Sequence, residues 1–438
     1  MMSRKRWVMV LLLLPVAAAV LAALWAARHD ELPAIDPPDS SSFDSDLVRR
    51  GQDLASVGAC VVCHTAPGGE AFAGGLPLET PFGTIHSTNI TPDAETGIGR
   101  WSQTAFRRAM RQGIDRTGRH LYPVFPYDFY TRTSDADIDA IYAFLMTQEA
   151  VSATAPRNEL PFPFNIRPLL AGWNLLFLSP GELEPDRTRS EEWNQGAYLV
   201  EGLGHCGACH SPRNMFGAVV QGAKFSGGEA EGWYVPALGT ESVAPLPWDQ
   251  LQLVNYLYDG WDAEHGIAAG PMTPIVNHLY DQPEDTVFAM AAYLESWQRP
   301  PLSEAERDGV LSRAKELDWE RSVSFMPDRL PEDPKLLRGL EVFRDQCSQC
   351  HKRGSDQSPV SLALTSTINS PDPRNVIHII FDGIRAPRGA TQRSMPSFGA
   401  SLTDQDIEDL LAYMRWHFTD SPAWPDIAAE VAEKRASW

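Results

Sequence analysis

The sequence predicts a mainly α-helical chain of three tandem domains behind an N-terminal membrane anchor or signal helix. Three observations carry that expectation. A Cys-x-x-Cys-His string occurs three times at intervals of about 140 residues, an amphipathic helical pattern closes each interval, and no convincing alternating series of strand type appears. At 438 residues the chain exceeds one ordinary domain, and roughly 150 residues per domain agrees with three.

The N-terminus comes first. Arg4, Lys5 and Arg6 precede an uncharged stretch from Trp7 to Ala27, 21 residues ending at Arg28. That is long enough to cross a bilayer core of about 30 Å as a helix. Small residues at Ala17 to Ala19 and Ala26 to Ala27 could suit a signal peptidase, but the stretch exceeds the usual apolar region of a signal peptide, roughly 7–15 residues. A retained anchor is therefore favoured over a cleaved signal. Either places the remainder outside the cytoplasm, because the basic flank stays inside. Residues 1–28 are thus signal peptide or signal-anchor helix, and 29–44 are a linker rich in Pro and Ser.

The repeated units follow at 45–150, 191–300 and 331–420, joined by connections at 151–190 and 301–330 and trailed by a tail at 421–438. A glycine (Gly51, Gly196 or Gly339) is expected to open a short helix before each motif. Closing helices are expected at Asp135 to Leu145 with Tyr142, Glu284 to Leu294 with Tyr293, and Asp404 to Met414 with Tyr413. Ser134 and Thr403 stand where N-caps belong, ahead of acidic first turns. The apolar run Leu169 to Leu178 is too short to span a membrane and is expected to pack across domains.

All six cysteines fall in the three motifs: Cys60 and Cys63 with His64, Cys206 and Cys209 with His210, Cys347 and Cys350 with His351. Cys-x-x-Cys-His is the attachment signature of c-type haem. Cysteines three apart on one helical turn reach the two vinyl groups of one porphyrin, and the adjacent histidine lies under the ring to ligate iron. A zinc site would need two further ligands per motif, with no cysteine left over, and a redox dithiol would not require a histidine three times. Three covalently bound haems are expected.

Cytochrome domains commonly supply methionine as the second axial ligand, which raises the potential. Twelve residues after Gly113, Gly260 and Gly383 stand Phe125, Met272 and Met395, each with proline within two residues. Met272 and Met395 are assigned to the second and third irons. Phenylalanine cannot coordinate, so the first iron is five-coordinate or takes Met110, His120 or His86; the ligand stays open. His205, His265, His278 and His378 have no partner pattern and are read as structural or surface groups. Asn89-Ile-Thr91 matches a glycosylation acceptor only formally. Trp424 to Trp438 could lie on a membrane or a partner.

The net charge of −20 repels phosphate backbones and argues against nucleic-acid binding and against docking of the main body on anionic lipid. No Rossmann glycine fingerprint or nucleophile constellation appears, so no catalytic residue is assigned and organic substrates would be oxidised elsewhere. The competing enzymatic reading is a peroxidase-like open first iron.

From Gly51 to Tyr413 the sequence resembles the three-haem cytochrome c subunit of membrane-bound periplasmic dehydrogenases, which serve alcohol, gluconate, fructose and aldehyde oxidation. The resemblance rests on Thr80-Pro-Phe-Gly-Thr-Ile-His-Ser-Thr-Asn-Ile-Thr-Pro-Asp93, His120-Leu-Tyr-Pro-Val-Phe-Pro-Tyr127, Gly196-Ala-Tyr-Leu-Val200, His205-Cys-Gly-Ala-Cys-His-Ser-Pro-Arg213 and Gly270-Pro-Met272. Many family members carry methionine where this chain has Phe125. The resemblance implies an electron-transfer subunit, not itself an enzyme, on the periplasmic side of the bacterial inner membrane. Its implied partners are a catalytic dehydrogenase subunit, a small iron–sulfur or accessory subunit, and ubiquinone or a respiratory oxidase as acceptor. Phe125 points to a molybdenum-dependent aldehyde or heterocycle dehydrogenase, with flavin or quinoprotein partners as the alternative.

Overall fold

The computed structural model describes residues 28–318, 331–351 and 361–438. The Trp7 to Ala27 stretch expected to anchor the chain lies outside these. Among the described residues no helix is long and apolar enough to cross a membrane.

The helices of eight residues or more are α1 (Ser45–Val57), α2 (Gln103–Gln112), α3 (Asp135–Met146), α4 (Leu170–Phe177), α5 (Glu191–Glu201), α6 (Gln250–Asp259), α7 (Met272–Leu279), α8 (Glu284–Glu295), α9 (Glu304–Leu317), α10 (Pro334–Val342), α11 (Arg374–Asp382), α12 (Asp404–Phe418) and α13 (Ile427–Ser437). The mainly α class is observed. Among the described residues three two-stranded antiparallel ribbons accompany it: β1 (Pro77–Thr80) with β2 (Gly83–His86), β3 (Gly228–Ala230) with β4 (Trp233–Val235), and β5 (Trp261–Asp262) with β6 (Gly266–Ile267). They are too short to leave an alternating signature in the sequence. The chain divides into two compact units, residues 1–184 with 216–218, and residues 185–215 with 219–438. The first holds one motif and the second holds two.

Each motif is framed by a helix before it and a closing helix after it: α1 with α3, α5 with α8, α10 with α12. The expected caps form. Ser134 accepts from the Asp137 amide, and Thr403 forms a reciprocal capping box with Asp406. The glycines, however, do not open their helices. Gly51, Gly196 and Gly339 sit inside α1, α5 and α10, where the closing helix crosses. A Cβ there would collide with the backbone carbonyl of Ala140, Ala289 or Asp409 respectively. The helices approach until backbone meets backbone, and only hydrogen fits. The same crossings identify the equivalent aromatics as Phe144, Tyr293 and Tyr413, whose Cβ atoms lie next to the three glycines. Tyr142 instead faces Phe43 and Phe106 and donates to the Trp101 carbonyl at 2.7 Å. In the first and third repeats an arginine just before the glycine ties the crossing: Arg50 to Asp137 at 2.7 Å and Arg338 to Asp409 at 2.6 Å, both carboxylates buried.

Three segments read from sequence as connections or tail are structured. Residues 301–330 carry α9, begun by a capping box between Ser303 and Glu306, with Ala314 in the core of the third repeat. The apolar run in 151–190 forms α4, whose Trp173 packs against Tyr127 and Ala218 within the first unit. The tail carries α13, whose Ile427 and Val431 are buried in the core of the third repeat; Trp424, ahead of the helix, is buried there too and donates to the Ser370 carbonyl at 2.7 Å. The third repeat thus covers the apolar side chains of this segment.

Replacing Gly196 by alanine forces α5 away from α8. Overpacking of this kind costs about 1–3 kcal/mol, so Gly196→Ala is expected to lower the thermal unfolding midpoint. An unchanged midpoint would show that the crossing yields freely.

Candidate haem sites

The residue before the first cysteine turns the chain. Ala59 and His205 have φ of 47° and 36°, in the left-handed region. This bend ends the preceding helix and starts a fresh turn, Cys60–Cys63 in the first repeat and Gly207–His210 in the second. His205 closes its bend with a 2.7 Å hydrogen bond from Nδ1 to the Leu203 carbonyl, a structural role. In the third repeat the chain instead runs from α10 through a wide π-turn, Phe343–Cys347.

The histidines are then oriented by carbonyls. His64 Nδ1 lies 2.6 Å from the Thr88 carbonyl and His210 Nδ1 lies 2.8 Å from that of Pro236. A carbonyl only accepts, so Nδ1 carries the proton and Nε2 keeps its lone pair. The ribbons supply these carbonyls, since Thr88 follows β2 and Pro236 follows β4. Burial pulls both imidazoles below their ordinary pKa, and pushes His351 down to about 4. Among the described residues none accepts from His351 Nδ1; residues 352–360, which follow it, are not among them.

None of the six cysteines is in a disulfide. Burial, first, pushes the Cys60, Cys206 and Cys347 thiols up to about 12. Among the described residues no group of three or more His, Cys, Asp or Glu could hold a metal ion. Two thiols on one turn beside a neutral histidine with its Nε2 free of the proton fit a covalently attached haem.

Each repeat also has a glycine of positive φ: Gly113, Gly260 and Gly383 at 63°, 75° and 73°. The next residue pairs with a later one across a short antiparallel contact: Ile114 with His120, Trp261 with Ile267, Ile384 with Met395. Phe125 and Met272 each stand five residues beyond that partner, whereas Met395 is itself the partner. The equal count of 12 therefore reaches the same backbone place in the first two repeats and a different one in the third. Met272 opens α7, and the Met395 backbone bonds to Ile384 in both directions, at 2.9 and 3.0 Å. Phe125 packs edge-on to Tyr130 at 5.3 Å, and Tyr130 lies within electrostatic reach of Cys60 and Cys63.

The other groups considered for the first iron are placed as follows. Met110 is buried on α2, with Leu257 and Ile380 at the matching helical positions, also buried. His120 is buried with its ring 5.3 Å from that of His29, and His86 ends β2. His265 stacks on Trp248 at 3.6 Å and bonds Gln252 at 3.1 Å, and His378 stacks on Trp233 at 4.7 Å; both serve packing. His278 lies on α7, where burial lowers its pKa.

One residue of the first site was passed over in the sequence. Asn89 follows the carbonyl that orients His64 and is 3% exposed, so it carries no glycan in the folded chain. Its side chain accepts from the Thr91 amide at 2.9 Å and hydroxyl at 2.7 Å. It donates to Thr96 Oγ1 at 3.0 Å and to the Val151 carbonyl at 2.7 Å. The formal acceptor pattern was the visible signal; burial gives it another meaning.

The geometry defines a c-type cytochrome, and sequence comparison agrees. Residues 48–149 match the cytochrome c family, and residues 334–414 match subunit III of cbb3-type cytochrome c oxidase. The chain is 36% identical over 412 residues to the gluconate 2-dehydrogenase cytochrome c subunit of Pantoea cypripedii, covering 89% of each. It is 33% identical to the fructose dehydrogenase cytochrome subunit of Gluconobacter japonicus, covering 88% of this chain and 82% of that one. It is 45% identical over 414 residues to a nicotinate dehydrogenase subunit of Pseudomonas putida, covering 93% of this chain and 33% of the relative. The chain thus spans about a third of that relative's length. It belongs to the family of cytochrome c subunits of dehydrogenase complexes, whose role is electron transfer.

Removing the Asn89 clamp frees the loop carrying the Thr88 carbonyl. Asn89→Leu is expected to cost about 1–3 kcal/mol and to shift the reduction potential of the haem at His64. Potentiometric titration showing no shift would mean that the carbonyl is held without it.

Proposed function

We propose that the protein carries three covalently bound c-type haems and passes electrons from a separate catalytic subunit to ubiquinone or the respiratory chain on the periplasmic side of the inner membrane. The observation that carries the reading is the threefold Cys-x-x-Cys-His motif, two copies of which show a buried histidine whose Nδ1–H is oriented by a ribbon carbonyl. Cys60, Cys63, Cys206, Cys209, Cys347 and Cys350 form the thioethers. His64, His210 and His351 are the proximal ligands, and Met272 and Met395 the distal ligands of the second and third irons. A bound haem supplies a reversible one-electron couple. The protein's own groups fix the imidazole tautomer, exclude water through burial and set each iron's ligation.

The relatives bear on the partner's class. Similarity to the nicotinate dehydrogenase relative, named for a heterocyclic acid, supports a molybdenum-dependent heterocycle or aldehyde dehydrogenase with a small iron–sulfur or accessory subunit. The gluconate and fructose relatives support a flavin or quinoprotein partner instead. The uncharged Trp7 to Ala27 stretch anchors the chain. A second reading, an open first iron with peroxidase-like chemistry, is favoured by Phe125 alone.

Metal and cofactor analysis of the complex purified from native membranes decides the partner. Molybdenum co-purifying with haem is expected, while flavin or quinone with no molybdenum would overturn that assignment. Covalent haem measured as the pyridine complex is expected at three per chain, and at two when Cys206 and Cys209 are both replaced by serine. An unchanged count would remove the second site. Carbon monoxide separates the readings of the first iron: binding to the ferrous protein at one haem, abolished by Phe125→Met, is expected of an open position opposite His64. No binding at any haem eliminates the peroxidase-like reading and requires a protein ligand.

A further inference from the structure

We propose that the segment Leu160–Gly181 of the first unit is a second membrane-contacting surface, which lies in the lipid headgroup and acyl boundary without crossing it. In a chain of net charge −20 these 22 residues contain no carboxylate and one cation, Arg167. The proposal rests on the membrane attachment inferred above and goes beyond it by naming a surface of the folded domain.

Helix α4 carries a single polar side chain, Asn174, on the face that packs on the protein, and leaves an apolar face uncovered. Trp173 and Phe177 turn inward, with Trp173 donating from Nε1 to the Phe216 carbonyl at 3.0 Å. Asn174 bonds the Tyr127 hydroxyl at 2.6 Å and the Gln112 carbonyl at 2.9 Å, which fixes the helix on the domain. The outer face stays bare: Leu169 is 53% exposed, Leu175 85% and Leu176 70%, and a Cβ on Gly172 would meet nothing. Just upstream Phe162 is 78% exposed. Soluble surfaces scatter such residues singly, whereas a contiguous patch marks a contact. A helix with one apolar face buried in protein and the other apolar face open matches the in-plane helices that seat about 5–10 Å into a bilayer surface.

Two observations select lipid over protein as the occupant. First, the absence of acidic groups removes the repulsion that an anionic bilayer exerts on the rest of this chain. Second, the segment's root lies beside the place where the N-terminal apolar stretch joins the folded domain. Arg167 donates to the His120 carbonyl at 2.8 Å, and His120 packs 5.3 Å from His29. The next residues are pinned there too, Arg108 donating to the Asp30 carbonyl at 2.8 Å and the Leu32 amide to the Arg116 carbonyl at 2.9 Å. An anchor ending at Ala27 therefore delivers this part of the domain to the membrane surface. Arg167, its guanidinium 4.5 Å from the Tyr122 ring centre, stands at the level of the phosphates.

The test uses the full haem-loaded chain in vesicles of phosphatidylethanolamine and phosphatidylglycerol. A lipid-soluble carbene photolabel is added with an aqueous scavenger, and insertion is mapped by mass spectrometry. Label is expected in peptides of residues 7–27 and 160–178, and absent from α1. The double variant Leu175→Glu, Leu176→Glu alters only exposed side chains; it is expected to lose label from 160–178 and keep it in 7–27, with an unchanged haem spectrum. Label in 7–27 but not in 160–178 overturns the surface while leaving the attachment standing. Label in neither, with the chain failing to float with vesicles, overturns both. Loss of label from 160–178 when the catalytic partner is added assigns the face to that partner and overturns the proposal.

Discussion

A single hydrogen bond, from a histidine Nδ1–H to a backbone carbonyl, governs the design of the first two repeats. It settles which imidazole nitrogen keeps its lone pair, Nε2, the nitrogen that would ligate a haem iron. A backbone acceptor must then be held at hydrogen-bond distance. The β1–β2 and β3–β4 ribbons exist for this, since each ends just short of the accepting residue. Two residues of extended chain could not hold the carbonyl alone. The first ribbon is extended by pairing between Thr84 and Glu159 and by the Asn158 side chain on the His86 amide at 3.0 Å. The second is extended by Asn375, which accepts from the Tyr234 amide at 3.0 Å and donates to its carbonyl at 2.7 Å.

The second constraint is closeness. Two helices that cross at a glycine pack backbone against backbone. Were any of the three glycines to carry a side chain, the closing helix would move outward and take with it Phe144, Tyr293 or Tyr413, which sit over the crossing. Tyr293 also answers for charge. Its hydroxyl bonds Glu201, which pairs with Lys224, so a carboxylate buried near Cys206 is neutralised before it can act on the site.

Much of this was legible in the sequence because it depends on local pattern. Motif spacing, caps at Ser134 and Thr403, and the closing helices are statements about neighbours within a few turns. What could not be read depends on partners distant in sequence. The meaning of Gly51 is set by Ala140, and that of Asn89 by Val151, 62 residues on. Counting 12 residues from each glycine found a phenylalanine and two methionines, but backbone pairing shows that the count joins unlike places. A loop can lengthen in one repeat while its overall number of residues happens to agree, so periodicity alone does not separate equivalence from coincidence.

The longer loop has a physical explanation in the second unit. Between Gly383 and Met395 the third repeat lays its chain on the second: Pro387 covers Gly260, Gly389 abuts the Asp259 backbone, and the Arg393 guanidinium lies 3.4 Å from the Trp261 ring centre. Arg388 pairs with Asp281, and its amide donates to the Asn277 side-chain oxygen at 2.8 Å. From the other side, α11 gives Asn375 to β4 and stacks His378 on Trp233, whose indole in turn covers Gly270, two residues before Met272. The third repeat therefore borders the second at both of its functional edges, the ribbon that orients His210 and the chain that leads to Met272. Sliding one repeat on the other would break the two Asn375 hydrogen bonds, the His378–Trp233 stack, the Arg393–Trp261 contact and the packing at Gly260 and Gly389 together. These contacts tie the two repeats together, with the 384–395 loop of the third packed on the chain around Gly260 and Trp261 of the second.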